Sequence, residues 1–138
     1  MNSIKSTPKH SKDAREWFEA LLELARFLRS EKGCPWDREQ TTASFAHYLS
    51  GEADELREAV DEDDNAHIEE EFGDTFFCAL MTAVVAEDEG RFRLEDAFER
   101  AHAKMIRRHA HIFGDRTANT ADEVVEVWKQ VKAEENKQ

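Results

Sequence analysis

The stretch LSGEADELREAVDEDDNAHIEEEFGDTF, residues 49–76, contains the signals from which we predict the fold of this chain. Apolar side chains recur every three or four residues on both sides of the acidic turn at 61–65, which is the spacing of amphipathic α-helices. Two helices joined by so short a turn are expected to run antiparallel as neighbours. We therefore predict a helical hairpin, with helices over about 42–60 and 66–89.

Four carboxylates occur in a repeated pattern on these two helices. Glu52 and Glu55 are three residues apart on the first, and Glu71 and Asp74 repeat that spacing on the second. Residues at this spacing project from one face of a helix, so antiparallel neighbours can direct all four side chains to one place. Carboxylate oxygens suit Mg²⁺ or Mn²⁺. The pattern favours a metal site, although such pairs also occur on ordinary solvated helix faces in a chain with 31 acidic residues.

The neighbours of these acids support the metal interpretation. Glu71 and Asp74 flank the apolar Phe72, which places them near the edge of the buried stripe. Gly51 and Gly73 lie inside the predicted helices, where glycine costs about 1 kcal/mol relative to alanine. We expect a close approach of the backbone at both glycines. The remaining acids nearby have the phase of a solvated face and are assigned no ligand role: Asp54, Glu58, Glu69 and Glu70.

Three further amphipathic segments accompany the hairpin, at about 13–30, 94–111 and 120–135. Trp17 is expected to lie in the core, and Thr120 with Glu123 is expected to form a capping box. Helices without strands can bury their apolar stripes only against each other. The predicted fold class is therefore an all-α bundle of about five helices.

Length and composition restrict the class of protein. With 138 residues, we expect a single domain over 13–135 after a flexible lead-in over 1–12. No apolar run approaches the roughly 18 residues that would span a membrane, and two cysteines are too few for a disulfide scaffold, which favours the cytoplasm. A formal charge of −12 would repel nucleic acid polymers.

Several motifs in the same order resemble the MazG family over about 21–132. The two acidic pairs resemble the family's motifs on successive helices, and Glu71-Phe72-Gly73-Asp74 closely matches the second of them. The other matching stretches are GCPWD at 33–37 followed by Gln40-Thr41, EGRF at 89–92 and KMIRRHAHIF at 104–113. Several motifs at consistent spacing are far more specific than one, so the chain is identified as a member of this family.

The resemblance implies a nucleoside triphosphate pyrophosphohydrolase that clears the nucleotide pool. It would convert a ribo- or deoxynucleoside triphosphate and water to the monophosphate and pyrophosphate. Mg²⁺, with Mn²⁺ as a substitute, would be held by Glu52, Glu55, Glu71 and Asp74, and Glu52 or Glu55 would orient or deprotonate the water. The MazG-like bundle would be completed by assembly into a homodimer or homotetramer.

The same resemblance suggests residues that contact the substrate. Lys104, Arg107 and Arg108 would contact the phosphates, whereas without the family they would be read as a solvated helix end. Trp128 would stack on the base, and Lys132, which follows it in the chain, would be a further substrate contact. Trp128 could equally anchor the last helix. Trp36 belongs either to loop packing or to the nucleotide pocket.

Other interpretations of the metal site and of the function stay open. Many MazG sequences open the first acidic motif with two glutamates, whereas Gly51 precedes Glu52 here, which leaves the number of metals open. The chain could instead be a related helical enzyme restricted to pyrimidine deoxynucleotides or phosphoribosyl-ATP, or a non-catalytic acidic interaction module. Glu99 and His102 form one pair of the kind found in di-iron bundles, but such a site ordinarily draws two pairs from separate helices.

Overall fold

The structure is a computed structural model that describes residues 12–137. Over this part of the chain it contains helices and no strand, which confirms the predicted all-α class. The seven described helices are α1 Ala14–Arg29, α2 Pro35–Glu39, α3 Thr42–Asp61, α4 Asn65–Asp88, α5 Leu94–Arg108, α6 Ala110–Phe113 and α7 Ala121–Glu135. None of them is both long and apolar enough to cross a bilayer. The predicted lead-in, apart from Lys12, lies outside the described residues.

The chain forms two compact units, the first ending at Arg91 and the second beginning at Phe92. In the first unit α3 packs along α4, and α1 packs against α4. Its buried apolar residues include Ala25, Phe45, Ala59, Leu80, Met81, Val84, Val85 and Ala86. In the second unit α5, α6 and α7 contact one another around Leu94, Val127 and Val131. The single domain that we expect over 13–135 stays a prediction.

Local capping explains why the hairpin begins and turns where it does. Thr41 caps α3 in a reciprocal pair of hydrogen bonds with Ser44, and the Asp64 carboxylate accepts from two backbone N–H groups at the start of α4. Between the helices Asp63 adopts a φ of 56°, in the left-handed region that a tight turn requires. Capping of the free N–H groups and this turn produce the predicted hairpin.

The loop between α1 and α3 is held by α1. The Arg29 guanidinium donates to the carbonyl oxygens of Asp37 at 2.6 Å and Gln40 at 3.0 Å, and it pairs with Asp88 at 2.9 Å. A Cβ at Gly33 would lie 2.2 Å from the Phe27 carbonyl oxygen. Only glycine fits at this position, where the chain leaves α1.

Several apolar residues lie less buried than their helical phase predicts. Trp17 is 44% exposed, so its assignment to the core is wrong, and Phe72 is 59% exposed. The period of a helix identifies its apolar face but not which part of that face the same chain covers. The capping box on α7 is also half wrong. Thr120 accepts from the Glu123 N–H, but the Glu123 carboxylate accepts from the Asn119 N–H at 2.6 Å.

Candidate active site

The four predicted acids meet at the middle of the hairpin. Carboxylate oxygens of Glu52 and Glu55 on α3 and of Glu71 on α4 all lie within 4.8 Å of one another. A second group of oxygens within the same limit comes from Glu70, Glu71 and Asp74. Glu71 belongs to both groups, so it is the centre of an oxygen-rich cluster that two antiparallel helices build.

Two oxygens of this cluster are buried and have no hydrogen-bond partner among the described residues. They are Oε2 of Glu52 and Oε2 of Glu71, and the Glu71 residue is only 8% exposed. Removing a carboxylate from water without a compensating partner is costly. A cation bound between these oxygens would compensate that cost, so the donor set fits a hard divalent ion such as Mg²⁺.

Like charges and burial shift the protonation of the cluster. Burial raises the pKa of Glu52 to about 6, and the nearby charges of Glu55, Asp74 and Glu71 add to that effect. Burial and the adjacent Glu55 carboxyl group also raise the pKa of Glu71. Both shifts express the free energy needed to keep several carboxylates ionised in one place.

Two residues near the cluster have no predicted role. His67 lies one helical turn before Glu71, with its Nε2 atom 3.4 Å from Glu71 Oε1 and its Nδ1 atom 3.1 Å from Glu62 Oε2. The hydrogen bond with Glu62 raises the pKa of His67. Glu70 is exposed, as its phase predicts, yet it lies beside Glu71 and Asp74. Spacings of four residues, His67 to Glu71 and Glu70 to Asp74, were the available signals in the sequence.

A hydroxyl group links the two helices beneath the acids. Thr75 Oγ1 lies 2.7 Å from the Glu71 carbonyl oxygen and 3.1 Å from the Glu52 carbonyl oxygen, and it donates across the hairpin. The expected backbone approach at Gly51 and Gly73 is wrong. A Cβ at either position would meet no atom of residues 12–137 within 4 Å, and nothing in the structure explains these two glycines.

The second unit contains a cavity of about 690 Å³ with a basic lining. Three of its lining residues are the predicted phosphate contacts Lys104, Arg107 and Arg108. The charged residues that line it are the cations Arg100, Lys104, Arg107, Arg108 and Arg116 and the acids Asp115, Glu134 and Glu135. Cations therefore outnumber acids here, in a chain that is otherwise strongly acidic.

One carboxylate holds two of these arginines. Glu135 Oε2 accepts from Arg107 Nε at 2.5 Å, and Glu135 Oε1 accepts from Arg108 Nη2 at 3.0 Å and Arg108 Nε at 3.3 Å. These hydrogen bonds, those from Arg108 first, lower the pKa of Glu135 to about 2. Lys104 forms no ion pair with any other described residue.

The predicted aromatic contacts lie in different surroundings. Trp128 is half-buried, with the Arg108 guanidinium 5.4 Å from its ring and His109 edge-on at 5.4 Å. These contacts attach α7 to the end of α5, while base stacking stays a prediction. Lys132 is exposed. Trp36, in the first unit, is 50% exposed and packs on Phe45 and Tyr48 at 5.9 and 5.7 Å between ring centroids.

The chain is similar to known proteins in sequence and in fold. A family model described as the MazG nucleotide pyrophosphohydrolase domain matches residues 40–113. The nucleoside triphosphate pyrophosphohydrolase/pyrophosphatase MazG of Thermotoga maritima is 39% identical over 124 residues, which are 90% of this chain and 47% of that protein. The nucleoside triphosphate pyrophosphohydrolase of Escherichia coli K12 is 40% identical over 119 residues, 86% of this chain and 45% of that protein.

A solved structure supports the same relationship. The crystal structure of a mazG-related protein from Thermotoga maritima aligns with a TM-score of 0.72 at 33% identity, covering 83% of this chain and 98% of that chain. The chain spans about a quarter to a half of the length of the curated relatives that it matches.

Proposed function

Because the chain belongs to the MazG nucleotide pyrophosphohydrolase family, we propose that it hydrolyses nucleoside triphosphates to monophosphates and pyrophosphate. Ribo- and deoxynucleotides are both candidate substrates, and clearance of the nucleotide pool is the proposed role. The observation that carries this proposal is the acidic cluster on α3 and α4. In it, Glu52 and Glu71 each have a buried carboxylate oxygen that no residue of the described part of the chain contacts by a hydrogen bond. Such a cluster suits metal-assisted transfer at a phosphate.

The proposed ligands of Mg²⁺, or of Mn²⁺ as a substitute, are Glu52, Glu55, Glu71 and Asp74. Their oxygens meet around Glu71 from two helices, and the hard oxygen donors match these ions. The bound ion would neutralise phosphate charge and lower the pKa of a water molecule. The raised pKa values of Glu52 and Glu71 agree with a cluster that needs a cation to be fully ionised.

Glu52 or Glu55 is proposed to orient the attacking water and accept its proton. Both lie on α3 with a carboxylate oxygen within 4.8 Å of one from Glu71, and the Glu55 side chain is exposed. Phosphoryl transfer depends on positioning and charge neutralisation more than on covalent help from the protein. A carboxylate within the metal-binding cluster meets that need.

The proposed substrate contacts are distributed between phosphate and base. Lys104, Arg107 and Arg108 line the basic cavity, and cationic side chains with several N–H donors bind phosphate oxygens well. Trp128 is proposed to stack on the base, with Lys132 and Trp36 as further contacts. In a chain with a net charge of −12, such a local excess of cations would favour the binding of an anionic substrate.

We also propose that the chain acts as a homodimer or homotetramer in the cytoplasm. Large apolar side chains stay exposed in the single chain, among them Trp17, Leu24, Phe27, Val60, Phe72, Ile112 and Phe113. Extended apolar exposure is typical of surfaces that another subunit covers. Both cysteines are free thiols, as expected in a reducing compartment.

The test is pyrophosphate release from a panel of ribo- and deoxynucleoside triphosphates and phosphoribosyl-ATP, with Mg²⁺, Mn²⁺ or EDTA. We expect metal-dependent release that E71Q and D74N reduce by at least about tenfold. The control is E58Q, which removes an exposed acid from α3 outside the cluster. Release from only one narrow substrate class would contradict the broad activity and favour a related helical enzyme restricted to that class. No release and no Mg²⁺ binding by calorimetry would favour a non-catalytic module.

A further inference from the structure

We propose that Glu135 is a positioning residue that holds Arg107 and Arg108 in place to receive the phosphates of the substrate. The inference rests on the proposed function, because it assigns a supporting residue to the same phosphate contacts. It begins from the carboxylate of Glu135, which is shared between the two arginines, with Oε2 on Arg107 and Oε1 on Arg108.

The pattern of hydrogen bonds leaves donors for a second anion. Two of the three bonds to Glu135 come from Nε atoms, on the inner edges of the guanidinium groups. The described residues accept no hydrogen bond from Nη1 of Arg108 or from either Nη atom of Arg107. Two guanidinium charges face one carboxylate, so one positive charge stays uncompensated and is available to a phosphate.

Burial makes this arrangement rigid. The side chains of Arg108 and Glu135 are 14% and 19% exposed, whereas that of Arg107 is 50% exposed. A paired and mostly buried arginine loses its rotamer freedom before the ligand arrives, and the ligand therefore does not have to order it. The same contact holds the Arg108 guanidinium 5.4 Å from the ring of Trp128, the proposed base-stacking residue. Glu135 therefore also fixes the cation beside that ring.

The preceding residue offers a matched control. Glu134 also lies on α7 and lines the same cavity, but its carboxylate pairs with Arg116, at 2.6 and 2.8 Å. E134Q and E135Q remove the same charge from adjacent positions. Only E135Q releases Arg107 and Arg108, so a difference between the variants reports positioning rather than a change in net charge.

The first experiment is calorimetric titration of inorganic tripolyphosphate into the full chain without divalent metal. We expect E135Q to weaken binding roughly five- to 150-fold, from the ordering cost of two arginine side chains, and E134Q to change it less than about twofold. In an R107Q/R108Q background, E135Q should have no further effect, because Glu135 acts through those arginines. Circular dichroism checks that each variant is folded. If E135Q does not fold, E135D replaces it; this variant keeps the charge and should lose less affinity for tripolyphosphate than the loss expected for E135Q.

Steady-state kinetics give a second test, because a loss of stability alone would not change KM while leaving kcat nearly constant. With Mg²⁺ and a substrate from the panel, E135Q should raise KM while kcat stays within about twofold. Equal or tighter tripolyphosphate binding by E135Q, an equal loss in E134Q, or a wild-type chain that does not bind tripolyphosphate would each overturn the inference. If the wild type binds tripolyphosphate and E135Q binds it more weakly, but no nucleotide is hydrolysed, the proposed hydrolysis is wrong and only the role of Glu135 in phosphate binding is supported.

Discussion

Removal of the Glu52 carboxylate should stabilise the metal-free protein, although we propose that this group is needed for activity. Its pKa is raised to about 6 by burial and by Glu55, Asp74 and Glu71. The folded state therefore holds a proton on Glu52 more tightly than the unfolded state, where the pKa is near 4.5. Ionising Glu52 at neutral pH opposes folding, and the variant E52Q removes that opposition.

The magnitude follows from the difference between those two pKa values. One pKa unit corresponds to 1.36 kcal/mol, so the raised value corresponds to at most about 2 kcal/mol. Glu52 is only half-buried, and solvent screening reduces the expected gain to about 1 kcal/mol. In a domain of this length, such a gain raises Tm by roughly 3–5 °C.

The difference in stability between E52Q and the wild type should depend on pH. Because the folded-state pKa of Glu52 is raised, the wild type loses stability relative to E52Q as pH rises from about 4.5 to about 6. Below about 4.5 the carboxyl group is protonated in both states and the difference should vanish. Above about 6 the full difference should be present.

The assay is urea unfolding followed by circular dichroism, in EDTA, at pH 4 and at pH 7.5. The control E58Q, which removes an exposed acid from the same helix, should not show the pH-dependent gain. Adding Mg²⁺ at pH 7.5 should stabilise the wild type and stabilise E52Q less, because binding to the folded state shifts the unfolding equilibrium. A lower stability of E52Q than of the wild type in EDTA at pH 7.5 would contradict this prediction.

Three further outcomes are expected. The lowered pKa of Glu135, about 2 against an ordinary 4.5, contributes stability above about pH 4.5 that is lost as pH falls toward 2, so E135Q should show a shallower acid unfolding limb by circular dichroism than E134Q does. G33A would place a methyl group 2.2 Å from the Phe27 carbonyl oxygen, and we expect a loss of more than about 2 kcal/mol in urea unfolding, whereas G51A, which meets open space, should not destabilise the fold. F72D changes a side chain that is 59% exposed. If α4 contributes to a subunit interface, light scattering should show a smaller assembly while the helical circular dichroism spectrum is unchanged, whereas an unchanged mass would exclude Phe72 from that interface.

The spans of the long helices were predictable because their signals are local. Helical period and capping residues identify α1, α3, α4 and α7 to within about a residue. The fourth predicted helix instead breaks at His109, whose ψ is 47° and whose ring lies 2.6 Å from the Met105 carbonyl oxygen. The short helix α2 was missed because five residues are too few to show a period.

The all-α class, the hairpin and the acidic pairs follow from local features of the sequence, because capping, turn formation and i to i+3 spacing act within a few residues. Three other features depend on how the helices pack: Glu71 is buried at the centre of the acids, Glu135 holds both Arg107 and Arg108, and Trp17 stays exposed. Burial and side-chain pairing depend on which surfaces meet between helices far apart in the chain, and periodicity within one helix carries no record of its partner.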